Sequence, residues 1–94
     1  MDLNVNYDVA KSATEAYDLA KEQITPDYVA KFNVPCDIDY SPSSKTITAK
    51  GKGFTLTLNF EEDRCSVKLE LSFLLRPVRG KVLDTIENKL KKTV

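Results

Sequence analysis

Phe54-Thr55-Leu56-Thr57-Leu58-Asn59-Phe60 places an apolar side chain at every second position with a hydroxyl or amide between each pair, and Cys65-Ser66-Val67-Lys68-Leu69-Glu70-Leu71-Ser72-Phe73 repeats the pattern. Period-two alternation puts all the apolar groups on one face of a pleated strand. A slip of one residue would turn that whole face into water, so register is strongly specified. The polar run Glu61-Glu62-Asp63-Arg64 between the two stretches reads as a turn.

Working outward, Lys50-Gly51-Lys52-Gly53 is hairpin chemistry, and before it Ile47 and Ala49 alternate with Thr46, Thr48 and Lys50. Ser41-Pro42-Ser43-Ser44 is another turn, preceded by Cys36, Ile38 and Tyr40 alternating with Asp37 and Asp39. Four strands joined by short turns imply an antiparallel meander. At the N-terminus Leu3, Val5 and Tyr7 alternate with Asp2, Asn4 and Asn6, a fifth half-buried strand.

Helical signals flank the meander. Ser12-Ala13-Thr14-Glu15 has the form of a capping box, with Ser12 bonding forward and Glu15 reaching back. Ala13, Ala16, Tyr17, Ala20 and Ile24 then fall on one face of a helix over about residues 12–24. Thr25-Pro26 interrupts it, since proline suits the first turn of a new helix and not the middle of an old one. A kinked helix or two short ones, with Val29 and Phe32 as a second stripe, should end near Asn33. Pro77 is expected to close the last strand. A helix over 78–92 follows, with the stripe Val78, Val82, Ile86 and Leu90, Leu83 beside it, and Lys89, Lys91 and Lys92 where its dipole favours cations.

The fold class that follows is α+β: a five-stranded antiparallel sheet with helices on one face, in the order β-α(kinked)-β-β-β-β-α, over a single domain spanning 1–94. The face of Leu3, Val5, Ile38, Ile47, Leu56, Leu58, Val67, Leu69 and Leu71 should carry the helices. The element order is similar to TATA-box-binding-protein-like domains and to a shortened helix-grip fold.

Composition narrows function by exclusion. The 94 residues hold 14 basic and 14 acidic side chains, a formal net charge of zero, which does not suit a strong nucleic-acid binder. The first forty residues hold eight acids and three bases, and the remainder six acids and eleven bases, so a basic C-terminal half faces an acidic N-terminal one. No apolar run approaches a membrane span, and the alternating N-terminus does not read as a signal peptide. A cytoplasmic protein is expected. The two cysteines, Cys36 and Cys65, fall on the apolar side of their strands and read as free thiols.

The chain has no histidine. That removes Ser-His-Asp and Cys-His nucleophile systems and most zinc sites. Asp37 and Asp39 could act as a carboxylate pair, and Glu61, Glu62 and Asp63 as a loose cation cluster. A charged edge strand and a solvated turn account for them more simply. The four tyrosines, Tyr7, Tyr17, Tyr28 and Tyr40, form no visible constellation. No catalytic residue, cofactor or metal is expected, and the chain reads as no enzyme. The opposite sheet face, with Thr46, Thr48, Thr55, Thr57, Asn59, Ser66, Lys68 and Ser72, lacks the arginines and aromatics that nucleic-acid surfaces use. It reads as solvated, or as the contact of a homodimer if the protein is not a monomer.

The most suggestive stretch is Phe73-Leu74-Leu75-Arg76-Pro77-Val78-Arg79-Gly80-Lys81, where apolar groups stand beside cations. Leu74, Leu75, Arg76, Arg79 and Lys81 are the candidate binding residues, the competing reading being a strand end tucked under the last helix. The same stretch carries a family likeness. Phe73-Leu74-Leu75, then Gly80-Lys81-Val82, then an amphipathic helix with Ile86-Glu87 and Leu90, resembles the polyhydroxyalkanoic acid system family, small bacterial proteins often encoded near genes for polyester storage granules. The layout of strand, helix, strands and closing helix extends the likeness over nearly the whole chain. The resemblance implies a non-enzymatic accessory or binding role at the surface of polyhydroxyalkanoate granules or with granule proteins, and brings no catalytic residues. The alternative is a carrier of a small apolar ligand, of helix-grip type.

Overall fold

A computed structural model describes residues 2–32 and 36–94. Strand β1 (Leu3–Asn6) leads to helices α1 (Ala13–Gln23) and α2 (Pro26–Val29) and a 3-10 turn (Ala30–Phe32). Strands β2 (Cys36–Ser41), β3 (Thr46–Gly51), β4 (Phe54–Phe60) and β5 (Arg64–Leu71) follow, then a 3-10 segment (Phe73–Val78) and helix α3 (Arg79–Thr93). The sheet order is β1-β5-β4-β3-β2, antiparallel throughout. The expected element order, five-stranded sheet and α+β class are present.

Register places the alternating apolar residues together. Leu58 stands opposite Ile47 on one side and Val67 on the other, and Leu56 opposite Ala49 and Leu69. Leu3 and Val5 pair with Val67 and Cys65, which seats the first strand beside the last. Onto this face the helices lay Ala16, Tyr17, Ala20, Ile24, Val29, Val82, Ile86 and Leu90, all buried. Tyr17 meets Phe60 edge-on with ring centres 6.2 Å apart.

The caps show why the helices start where they do. Ser12 Oγ accepts the Glu15 N–H at 3.2 Å, and Thr25 Oγ1 accepts that of Tyr28 at 3.2 Å, with Pro26 in the first turn of α2. The break at Thr25-Pro26 therefore yields two helices. The returning half of the Ser12–Glu15 box is not formed among the described residues. The expected helix end near Asn33 lies outside the described residues.

Two expectations are corrected at the C-terminal side. β5 ends at Leu71, and Phe73, expected to face the core, is 79% exposed. The last β4–β5 pair is Phe54↔Leu71, and the Ser72 N–H already turns to the Gly53 carbonyl at 2.8 Å. Beyond that point β4 offers no partner, so the chain coils instead of continuing as strand. Gly53 makes the approach possible. It sits at φ +71°, and a Cβ there would lie 2.6 Å from Ser72 Oγ. Val78, expected in the helix stripe, stands just before α3 and is 37% exposed; Val94 instead continues the buried row of Val82, Ile86 and Leu90. A main-chain oxygen of Val94 accepts the N–H groups of Asp8, Val9 and Ala10 at 2.9, 2.8 and 2.9 Å, which ties the end of α3 to the loop after β1.

Candidate docking surface

The 3-10 segment brings the sequence-predicted binding residues to one end of the sheet and then divides them. Phe73 and Leu74 project outward, 79% and 86% exposed. Two large apolar side chains adjacent on a surface are an unusual way to spend exposed area, whereas scattered single ones are ordinary. Arg76 and Lys81 are exposed and pair with no carboxylate among the described residues. Leu75 is half-buried and packs on the core, anchoring the segment. Pro77 restricts the backbone between Arg76 and Val78.

Arg79 has a different occupation. Its guanidinium pairs with the Asp2 carboxylate and donates to the Leu69 carbonyl at 3.1 Å, while the other Asp2 oxygen accepts the Leu69 N–H at 2.7 Å. β5 runs further than β1 at this end, so the N–H and C=O of Leu69 face an edge without a strand beside it. The Asp2–Arg79 pair takes the place of that missing strand. The Leu69 N–H, with the guanidinium adding to it, holds the Asp2 carboxyl below the usual carboxylate range against an opposing push from burial.

Sequence reasoning missed Phe73, although a signal was available. The β4–β5 hairpin pairs Phe60 with Cys65 and Phe54 with Leu71. Counting on by two sets Phe73 opposite Lys52, inside the Gly51–Gly53 turn, where no strand can receive it. It also missed Val78, Phe32 and Lys31, which gather with Leu75 and Lys81 around a groove against α3. Phe32 and Lys31 lie more than forty residues away in sequence, and only the fold unites them.

The remaining candidate groups do not converge on one site. Asp37 and Asp39 are exposed on the edge strand β2, opposite Lys50 and Thr48. No group of three or more metal-ligating side chains occurs among the described residues. Cys65 is buried, and burial, with the Glu61 carboxylate, pushes its thiol up to about 12. Burial, with Asp37, also raises the Cys36 thiol, though Cys36 is only half-buried. Both thiols are therefore protonated at neutral pH and poor nucleophiles. β2 and β5 are three strand spacings apart, about 14 Å at about 4.8 Å per strand, too far for a disulfide. Of the tyrosines, Tyr7 closes the β4–β5 turn: its hydroxyl proton is shared between the Glu61 and Arg64 carbonyls at 2.6 and 2.8 Å. Tyr40 donates to the Ile24 carbonyl at 2.7 Å and Tyr28 to that of Thr85 at 3.3 Å.

The open sheet face is close to neutral within itself. Lys68 pairs with Glu70 at 3.1 Å, and the Ser66 hydroxyl donates to the Glu61 carboxylate. Thr48 faces Thr57 and Asn59 faces Ser66 across the strands. None of this forms a basic stripe. No helix among the described residues is long and apolar enough to cross a membrane.

A family model described as "Putative polyhydroxyalkanoic acid system protein" matches residues 7–94. No curated protein and no solved structure matches the chain.

Proposed function

The chain belongs to the polyhydroxyalkanoic acid system protein family, and from that premise we propose that it is a non-enzymatic accessory protein of the bacterial cytoplasm that docks on the surface of polyester storage granules. The observation that carries the reading is the pair Phe73 and Leu74, held outward on a proline-stiffened segment that Leu75 roots in the core. A polyester surface offers an apolar plane with scattered carbonyls. An exposed phenyl and isobutyl group gain from leaving water there. Arg76 and Lys81, beside them, suit the ester carbonyls and any anionic coat at the boundary. The absence of histidine and the protonated thiols support a role without covalent chemistry.

Co-sedimentation of the purified protein with poly(3-hydroxybutyrate) particles tests this. The double variant Phe73→Ser/Leu74→Ser should lose binding while keeping its circular dichroism and melting temperature. Unchanged binding would remove the proposal. Leu75 and Arg79 do not serve as probes, because one is packed on the core and the other closes the sheet edge, so altering them perturbs the fold itself.

A further inference from the structure

Beside the exposed pair lies a groove that shares only Leu75 and Lys81 with the docking reading. It has a volume of about 210 Å³ and runs between the 3-10 turn Ala30–Phe32, the 3-10 segment Phe73–Val78 and the first turns of α3. Its walls are the Phe32 ring, Leu75, Val78 and Val82. Phe32 is fixed by edge contact with Tyr28 and a tilted contact with Phe54, each with ring centres 5.8 Å apart, so this wall is built into the core. Exposed Lys31 and Lys81, with Thr85, complete the lining. Neither lysine pairs with a carboxylate among the described residues, although Asp84 lies on the same helix as Lys81. The Lys31 ammonium sits 5.5 Å from the centre of the Tyr28 ring, the same ring that Phe32 meets edge-on.

We infer that this groove is a binding site for a free medium-chain acyl carboxylate, the tail lying against Phe32, Leu75, Val78 and Val82 and the head group between Lys31 and Lys81. The volume bounds the size. It falls below the roughly 300–1,000 Å³ of sites for drug-sized ligands, which favours a slender chain over a bulky ring system. The charge sets the head group. Two lysines lining an apolar slot favour an anion over a neutral amphiphile of the same length. The inference rests on the groove and not on granule docking.

The two readings separate in one set of experiments on the full chain. Sodium octanoate is titrated into ¹⁵N-labelled protein, with 1-octanol and sodium acetate as controls. Saturable shifts are expected at Phe32, Leu75, Val82 and Thr85, with octanol and acetate each weaker by about tenfold or more, because one lacks the charge and the other the tail. Lys31→Glu/Lys81→Glu should weaken octanoate by at least tenfold, and Val78→Trp, at a partly exposed wall position, should fill the slot and abolish binding. Phe73→Ser/Leu74→Ser should keep octanoate binding and lose particle binding, and Val78→Trp should do the reverse. The inference is overturned if octanoate fails to saturate below its micellar concentration, if octanol binds as well as octanoate, if the shifts map elsewhere, or if the charge reversal changes nothing.

Discussion

Replacing Tyr7 by phenylalanine removes a single oxygen, and the geometry says what that oxygen does. The Tyr7 hydroxyl reaches back across the sheet to the Glu61 and Arg64 carbonyls at 2.6 and 2.8 Å. The Arg64 carbonyl also accepts the Glu61 N–H at 2.8 Å and so keeps a partner in the variant. The Glu61 carbonyl loses its partner in a part-buried site. The loss is then one hydrogen bond, about 1 kcal/mol net, plus a fraction of the penalty for an unsatisfied acceptor, about 1–2 kcal/mol in total. For a domain of this size 1 kcal/mol moves the melting temperature by about 4–8 °C, so a fall of roughly 5–15 °C is expected. Thermal unfolding followed by circular dichroism measures it, and amide exchange should quicken at Glu61 and its neighbours in the turn. A fall below about 2 °C, or a more stable variant, would refute the assignment of Tyr7 as the clasp of this hairpin. The alkaline limb gives a second reading. Burial, with the neighbouring Cys65 and the acids Glu61, Asp63 and Glu62, raises the Tyr7 phenol above its ordinary range. A group whose pKa is raised on folding adds stability that is intact below the unfolded value near 10 and is lost as pH rises above it. Tyr17, Tyr28 and Tyr40 are raised by burial as well, so the variant should lose one share of the alkaline decline and keep the rest.

Three further outcomes are expected. Phe73→Ser/Leu74→Ser removes side chains about four-fifths exposed in solution; at about 2 kcal/mol for each when fully buried, together they supply about 3 kcal/mol on a polyester surface, on the order of 100-fold in particle affinity by sedimentation isotherm, with less than about 0.5 kcal/mol change in folding. Gly53→Ala meets both a left-handed backbone and the Ser72 side chain, and denaturant unfolding should show a loss of about 1–2 kcal/mol. Asp2→Asn should flatten the acid limb of stability: the Asp2 carboxyl is lowered on folding, so its contribution is present above about pH 4 and fades as pH falls through the folded value, and added salt should shrink the difference because the Arg79 partner is partly exposed.

The sequence by itself determined the layers of this protein. Alternation from Cys36 to Leu71 decided which face of the sheet is buried, because a period of two leaves no other assignment, and the Ser12 and Thr25 caps with Pro26 decided where the helices start, because the chemistry is local to four residues. The stretch 73–81 was recognisable as the unusual one. Tertiary structure alone decided how its residues divide. Phe73 leaves the sheet because Leu71 is the last residue opposite β4. Arg79 turns inward because Leu69 lacks a strand beside it and Asp2, seventy-seven residues earlier, can share the task. The groove exists only where Lys31 and Phe32 come to lie against Leu75 and Lys81. Periodicity reports the environment of each strand or helix singly; which ends run out of partners, and which distant side chains then meet there, depends on the lengths and register of elements from both ends of the chain.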